Sequence, residues 1–211
     1  MILDNVKYAK GGWVNRNRIL VQGQEAWLSV PVGADGDNIA DKVCILDNRF
    51  FHRITGTVSR NYPRGQRLLD FLGMVRTWEE SGMVKVSEVN LFFLKEISKK
   101  LGIVFPSVEW ASSLRDSGQV GQERIINLAH SLGATTYVNL SGGEDLYDPR
   151  KFEEKGIELS FVRSEFPAYQ QRSDTFIPKL SVLDFFLNEQ ADTDRWFGPE
   201  AYSIRSPRSG T

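Results

Sequence analysis

From residue 87 to residue 187 the hydrophobic period switches back and forth between helix and strand. That alternation constrains the fold of this chain more than any other feature. Residues 87–101 place Leu91, Leu94, Ile97, Ser98 and Leu101 at helical spacing, with Ser87 as a cap. Lys99 and Lys100 fall in the last turn and Gly102 follows, a favourable ending for the helix dipole and the backbone. Residues 103–105 read as a short strand, and 122–132 as a helix with Ile125, Ile126, Leu128 and Ala129 apolar and Gly133 as its stop. A β-branched strand over 135–140, a short helix opened by Asp148-Pro149 and closed by Gly156, a strand over 157–162 and an amphipathic helix over 181–187 complete the series. Each step has the length of a βαβ unit, so the expectation is an α/β domain built on a mainly parallel sheet with flanking helices.

The first third adds antiparallel character. Residues 16–20 and 26–30 are strand-like, and Gln22-Gly23-Gln24 supplies the turn of an edge hairpin near the N-terminus. A glycine- and aspartate-rich loop covers 31–38, a short apolar strand 42–46, and a helix is expected over 49–60 until Tyr62-Pro63-Arg64-Gly65 breaks it. A second helix, over 66–73, carries Leu68, Leu69 and Leu72 on one face. Periodicity fades after Asn188, so residues 1–190 are expected to form one α/β domain and 191–211 a flexible tail.

At 211 residues with 41% apolar content, the chain can bury a sizeable core. The formal net charge of −1 gives no basic field, which removes the electrostatic support for a nucleic-acid partner. The single cysteine, Cys44, excludes an internal disulfide framework and sits in the apolar run Val43-Cys44-Ile45-Leu46 as a small hydrophobe. No apolar run reaches the length of a transmembrane helix and no secretory signal is present, so the expected location is cytoplasmic. His52 and His130 are far apart in sequence, and with one cysteine they do not suggest a zinc site; no metal is expected. The acidic pairs Glu79-Glu80, Glu144-Asp145 and Glu153-Glu154 place adjacent side chains on diverging directions and make no catalytic dyad. No Gly-x-Ser-x-Gly elbow occurs, which leaves a serine hydrolase unsupported.

Two segments carry ligand chemistry. Near the start, Trp13, Asn15, Asn17 and Ile19 alternate with Val14, Arg16, Arg18 and Leu20. On a pleated strand Arg16 and Arg18 share a face, roughly 6–7 Å apart, which suits two guanidinium forks gripping a phosphate or carboxylate. The alternative is a polar edge strand with solvated arginines. Further on, the strand over 135–140 runs into Ser141-Gly142-Gly143, a glycine loop at the carboxyl end of a strand, where open α/β sheets bind ligands. Exposed backbone N–H groups there suit an anion. A plain turn is the alternative.

Taken in order, the residues resemble a known family. Asp4-Asn5-Val6-Lys7-Tyr8 with Gly12-Trp13-Val14-Asn15-Arg16-Asn17-Arg18-Ile19 resembles the early signature of the WbqC-like protein family. Ala26-Trp27-Leu28-Ser29-Val30-Pro31-Val32 is similar to its next strand. Gly133 to Tyr137, leading to Ser141-Gly142-Gly143-Glu144-Asp145-Leu146-Tyr147-Asp148, resembles its glycine loop, and Gly156–Leu159 and Phe176–Asp184 its closing segments.

The resemblance implies a role in bacterial surface-polysaccharide biosynthesis, including O-antigen and lipopolysaccharide, as a group transferase acting on a nucleotide-linked amino sugar. On this reading Arg16 and Arg18 are expected to hold phosphate, and Asn15 and Asn17 to bond sugar or acyl oxygens. Trp13 or Tyr147 would stack on a sugar or base, and Ser141, Gly142 and Gly143 would line the pocket. Catalytic residues and cofactors stay unassigned. Family members begin upstream of the segment that opens this chain, with a strand and a His-Gln-Pro turn, so the expectation is an N-terminal truncation. The rival expectation is therefore a non-catalytic sugar-nucleotide binding or scaffolding protein of the same pathway.

Overall fold

The computed structural model describes residues 1–47, 49–115, 118–164, 167–188, 197–198 and 201–207. The chain divides into two compact units. A helical unit takes residues 3–108 and the described part of 168–193; a sheet unit takes residues 1–2, 109–167 and the described residues beyond 194.

The helical unit opens with an antiparallel hairpin, β1 (Arg16–Val21) and β2 (Gln24–Ser29), in the register Arg16↔Ser29 through Val21↔Gln24. Its two-residue loop is Gln22-Gly23, with φ of 52° and 75°. Two successive positive φ values twist in the sense of the strands, and glycine at the second position carries the conformation without a Cβ. Gln22 donates its backbone N–H to Asn61 Oδ1 at 2.8 Å, which ties the turn to the following helix. Ile19 and Leu20 point to opposite faces, yet both are buried, so the C-terminal half of β1 is covered on both sides.

Three helices follow: α1 (Phe50–Asn61), α2 (Gln66–Ser81) and α3 (Val86–Lys100). α1 buries Phe50, Ile54 and Val58, a strict i, i+4 stripe. α2 runs eight residues past the expected end because Met74, Val75 and Trp78 continue its apolar stripe beyond Gly73. It stops at Gly82, whose φ of 66° is the left-handed ending that glycine takes at least cost. α3 starts one residue before Ser87, which is buried in its first turn rather than capping it. The start is set by backbone pairing: Val86 N–H donates to Lys42 O at 3.0 Å and Cys44 N–H to Val84 O at 2.7 Å. Those bonds and single bridges at Val32↔Cys44 and Val43↔Lys85 replace the strand expected over 42–46. Burial pushes the Cys44 thiol up to about 11, the behaviour of an inert packing residue.

The core is aromatic. The Trp78 ring lies 5.4 Å from Phe50, 5.1 Å from Phe51 and 5.6 Å from Phe93, all edge-to-face, and its Nε1 donates to Met83 O at 3.0 Å. A further helix of this unit, α6 (Val182–Leu187), is capped by Ser181, whose backbone N–H also donates to Arg18 O at 2.8 Å.

In the sheet unit, α4 (Gly121–Ser131) precedes β3 (Thr136–Leu140), α5 (Pro149–Glu153) and β4 (Glu158–Ser164). β3 and β4 are parallel, with α5 as the crossover. Asp148 caps α5 by accepting from Arg150 N–H, and Pro149 takes the first helical position. Phe152 of α5 is fully buried and stacks on Tyr137 at 5.5 Å.

β5 (Tyr202–Arg205) then pairs antiparallel with β4. Among the described residues the sheet is therefore mixed and three-stranded, in the order β3-β4-β5, rather than mainly parallel. The reason is local: the first two strands pair with each other, residues 103–105 form no ladder, and the parallel series is left with one βαβ step. β5 lies inside the stretch expected to be a flexible tail; its four residues are paired, held by main-chain bonds that need no periodic hydrophobicity. Residues 189–196, 199–200 and 208–211 of that stretch lie outside the described residues. Among the described residues no helix is long and apolar enough to cross a membrane.

Candidate functional site

Residues 9–18 of the helical unit build one polar cluster. Gly11 adopts φ 76° and Gly12 N–H donates to Ala9 O at 3.0 Å, a tight turn that aims two carbonyls at Arg16. A Cβ on Gly12 would meet Ala9 O at 3.0 Å, tighter than most side-chain contacts. Arg16 Nε donates to Gly12 O at 3.2 Å, and Nη2 donates to Gly11 O. The guanidinium carbon also lies 4.1 Å from the centroid of the Trp27 ring. A guanidinium has five N–H donors, and these contacts leave the Nη1 pair and one on Nη2 open. Carbonyls and a ring orient the charge without cancelling it, and no carboxylate among the described residues lies within ion-pair distance of Arg16.

Arg18 is committed differently. Its Nη1 donates to Glu25 Oε2 at 2.8 Å and its Nη2 to Lys179 O at 2.9 Å, while its guanidinium sits 5.3 Å from the Trp13 ring. Its Nε is buried without a hydrogen-bond partner. Trp13 and Trp27 complete the layer with ring centroids 5.0 Å apart. Asn15 is spent on structure: Oδ1 accepts from Tyr8 Oη at 2.7 Å and Nδ2 donates to Val30 O at 2.7 Å. Asn17 Oδ1 accepts from the Arg18 N–H, which leaves its Nδ2 open.

Beside this cluster lies a cavity of about 330 Å³, in the size range of small-molecule sites. Trp13, Val14, Asn15, Arg16 and Asn17 line it, and Arg18 does not. Five successive residues reach one cavity; the ladder begins only at Arg16, and the strict alternation expected from residue 13 onward does not hold there. Ile54, Phe71, Trp78, Val89, Ile97 and Leu183 form the buried floor, and Asn90 and Leu94 of α3 stand at the exposed mouth. Asn90 fastens the rim by donating from Nδ2 to Val14 O at 2.8 Å. Sequence reasoning missed Asn90; its one signal was a short amide in mid-helix, a position where asparagine is disfavoured. The floor residues read only as core.

The other expected ligand residues belong to the sheet unit. Ser141, Gly142 and Gly143 open a 3-10 turn (Ser141–Leu146) directly after β3. A Cβ on Gly142 would meet nothing within 4 Å, whereas one on Gly143 would come 3.2 Å from Asn139 Nδ2. Tyr147 packs its ring 5.7 Å from Phe152 and 6.3 Å from Phe161, and its hydroxyl accepts from Asn139 Nδ2 at 3.0 Å. That packing makes it a cover for one face of the sheet. The two groups of expected residues thus fall in separate units: Trp13, Asn15, Arg16, Asn17 and Arg18 in one, Ser141, Gly142, Gly143 and Tyr147 in the other.

A buried acid also escaped the sequence. Asp184 is fully buried and accepts from Tyr62 Oη and Tyr169 Oη, each at 2.6 Å; Tyr62 Oη in turn accepts from Leu20 N–H at 3.0 Å. Burial pushes the Asp184 carboxyl above the usual carboxylate range, against the two hydroxyls that hold it down. Burial likewise raises both tyrosines, with the neighbouring carboxylate adding to it. The cluster joins β1, the end of α1 and α6, and Asp184 does not line the cavity. His52 and His130 are both exposed, on α1 and at the end of α4.

The order of these segments along the chain is what a family comparison can decide. A family model described as the WbqC-like protein family matches residues 1–195. The chain belongs to that family. A Mycobacterium tuberculosis protein, "Uncharacterized protein Rv1507c", is 28% identical over 200 residues, covering 91% of this chain and 84% of its own length. No solved structure matches. The residues matched by the WbqC-like family model include Trp13 to Asn17, which build a wall of the cavity.

Proposed function

We propose that this WbqC-like protein is a cytoplasmic group transferase of bacterial surface-polysaccharide biosynthesis, acting on a nucleotide-linked amino sugar, and that the cavity of its helical unit is the ligand site. The observation that supports this reading is the Arg16 guanidinium at the cavity wall. It is oriented by two glycine carbonyls and a tryptophan face and has three N–H donors open. A diphosphate oxygen is the natural partner for such a fork. Asn17 Nδ2 supplies a further donor beside it, and the exposed Trp13 ring offers a face for a sugar. Arg18 then serves as a positioning residue, its own charge met by Glu25.

A second reading is favoured by the lining itself. Among the described residues that line the cavity Arg16 is the one charged side chain, and no histidine, carboxylate, lysine or cysteine joins it there. A general base is therefore missing from the described wall, and a non-catalytic sugar-nucleotide binder of the same pathway meets every feature observed.

A thermal-shift screen of nucleoside-diphosphate sugars tests the shared core of both readings. Stabilisation by such compounds, but not by the corresponding free sugars, is expected. Incubating a binder that carries a free amine with acyl donors then separates the two: mass gain on the sugar supports the transferase, and binding without turnover supports the binder.

A further inference from the structure

The floor of the helical-unit cavity holds chemistry that a nucleotide or a sugar does not use. Ile54, Phe71, Trp78, Val89, Ile97 and Leu183 present hydrocarbon and ring faces there, all buried. The one polar atom among their side chains, Trp78 Nε1, is already spent on Met83 O. A base or sugar hydroxyl pushed to this depth would lose its water and gain no partner, at a cost of roughly 1–3 kcal/mol per group. The open donors, on Arg16 and Asn17, belong instead to the strand that forms the cavity wall, and Asn17 is exposed. Around the mouth stand two large apolar side chains that water would otherwise surround: Trp13 at 57% exposure and Leu94 at 47%.

A cavity with a hydrocarbon floor, an apolar lip and one unneutralised cation has the polarity of an anionic amphiphile turned inside out. We infer that the site takes a ligand with an aliphatic or acyl chain, the chain entering the floor between α1, α2 and α3 and the anionic head resting on Arg16. The inference rests on the cavity being the ligand site, as proposed above, and adds a chain-bearing class of ligand that its floor suits. Size sets the chain length. An apolar cavity of ~150 Å³ accepts benzene, and this one is about 330 Å³, so roughly eight to ten carbons fit. The head is a carboxylate or a phosphate, since a guanidinium fork binds both.

The test is calorimetric titration of the whole protein with hexanoate, octanoate, decanoate and decyl phosphate, each below its micellar concentration, with decylammonium and decanol as controls. Affinity is expected to rise about three- to four-fold per added methylene up to decanoate. Both anionic heads should outbind the two controls at least tenfold. Arg16→Gln should remove that preference while keeping the dependence on chain length, and Val89→Phe, which fills the floor, should flatten the dependence above hexanoate. The chain-length series on the unaltered protein carries the test if a variant fails to fold. No rise with chain length, or equal binding of decylammonium, overturns the inference. So does co-sedimentation with phosphatidylglycerol vesicles in place of capture of free decanoate. Nucleotide-sugar stabilisation with a flat chain-length series sinks the inference and leaves the proposed function standing; the opposite pair of results does the reverse.

Discussion

The guanidinium of Arg16 lies 4.1 Å from the centroid of the Trp27 ring, across the hairpin from it, while two glycine carbonyls hold its edge. The ring cannot neutralise the charge; it removes water from one face and fixes the plane of the fork. An arginine prepared in this way loses little freedom when an anion arrives, which is the structural meaning of a preorganised site.

Removing that ring should therefore cost affinity more than stability. Trp27→Leu deletes a partly exposed cation–π contact worth about 0.5–1 kcal/mol, so the melting temperature should fall by only about 1–4 °C. Binding of any anion at the site should weaken several-fold, because Arg16 becomes free to swing. Circular dichroism melts and titration of the same sample read both effects.

Arg18 is expected to behave in the opposite way. It links Glu25 on β2 to Lys179, and Lys179 is itself held at φ 61°, in the left-handed region. Arg18→Met keeps most of the packing and removes both bonds. With Glu25 partly solvated, the loss should be about 1 kcal/mol of stability. Ligand affinity should change less than for any Arg16 substitution. A melt unchanged within error would show that the Glu25 pair is merely a surface contact.

Asp184 gives stability a pH dependence of known sign. Its folded carboxyl titrates above its ordinary value of 3.8, so between those two values the folded protein binds a proton that the unfolded chain has released. The contribution is complete below the ordinary value and is lost as pH rises through the folded one. Asp184→Asn removes the titration. The variant's melting temperature should therefore gain on the wild type's as pH is raised from about 4 towards 8. Parallel curves over that range would contradict the assigned shift.

Two glycines of α2 separate backbone freedom from backbone need. Gly73 is mid-helix and a Cβ there would meet nothing within 4 Å. Gly73→Ala should stabilise the protein by about 0.5–1 kcal/mol. Gly82 also has open space around it, but its φ is 66°. Gly82→Ala should destabilise by about 1–2 kcal/mol. Opposite shifts in the melt check both.

The sequence carried the local elements well and the long-range pairing poorly. Among the described residues, periodicity placed the hairpin, five of the six helices and β3 and β4 to within a few residues, because Ile54–Val58 or Ile125–Ile126 report their own burial. It stopped α2 at Gly73 because a lone glycine reads as a break, whereas Trp78 anchors the helix through the aromatic core. β5 had no signal: Tyr202 and Ile204 are exposed, and the strand exists through its ladder with β4. At the site, Arg16 and Asn17 stood out as charge and amide in an apolar strand. What distinguishes Arg16 from Arg18 is Glu25 in one case and Gly11 and Gly12 in the other, partners that only the folded turn brings into reach. Asp184 was hidden for the same reason, since Tyr62 lies 122 residues away in sequence.

In the proposed function Arg16, and not Arg18, holds the anionic group of the ligand. Calorimetric titration of the best nucleotide sugar from the thermal-shift screen into the wild type, Arg16→Gln and Arg18→Gln decides it. Arg16→Gln is expected to lose about 1.5–3 kcal/mol, more than tenfold in affinity, for a lost charged hydrogen bond, while Arg18→Gln should lose clearly less. Wild-type affinity in a folded Arg16→Gln protein, or a larger loss in Arg18→Gln, would contradict it.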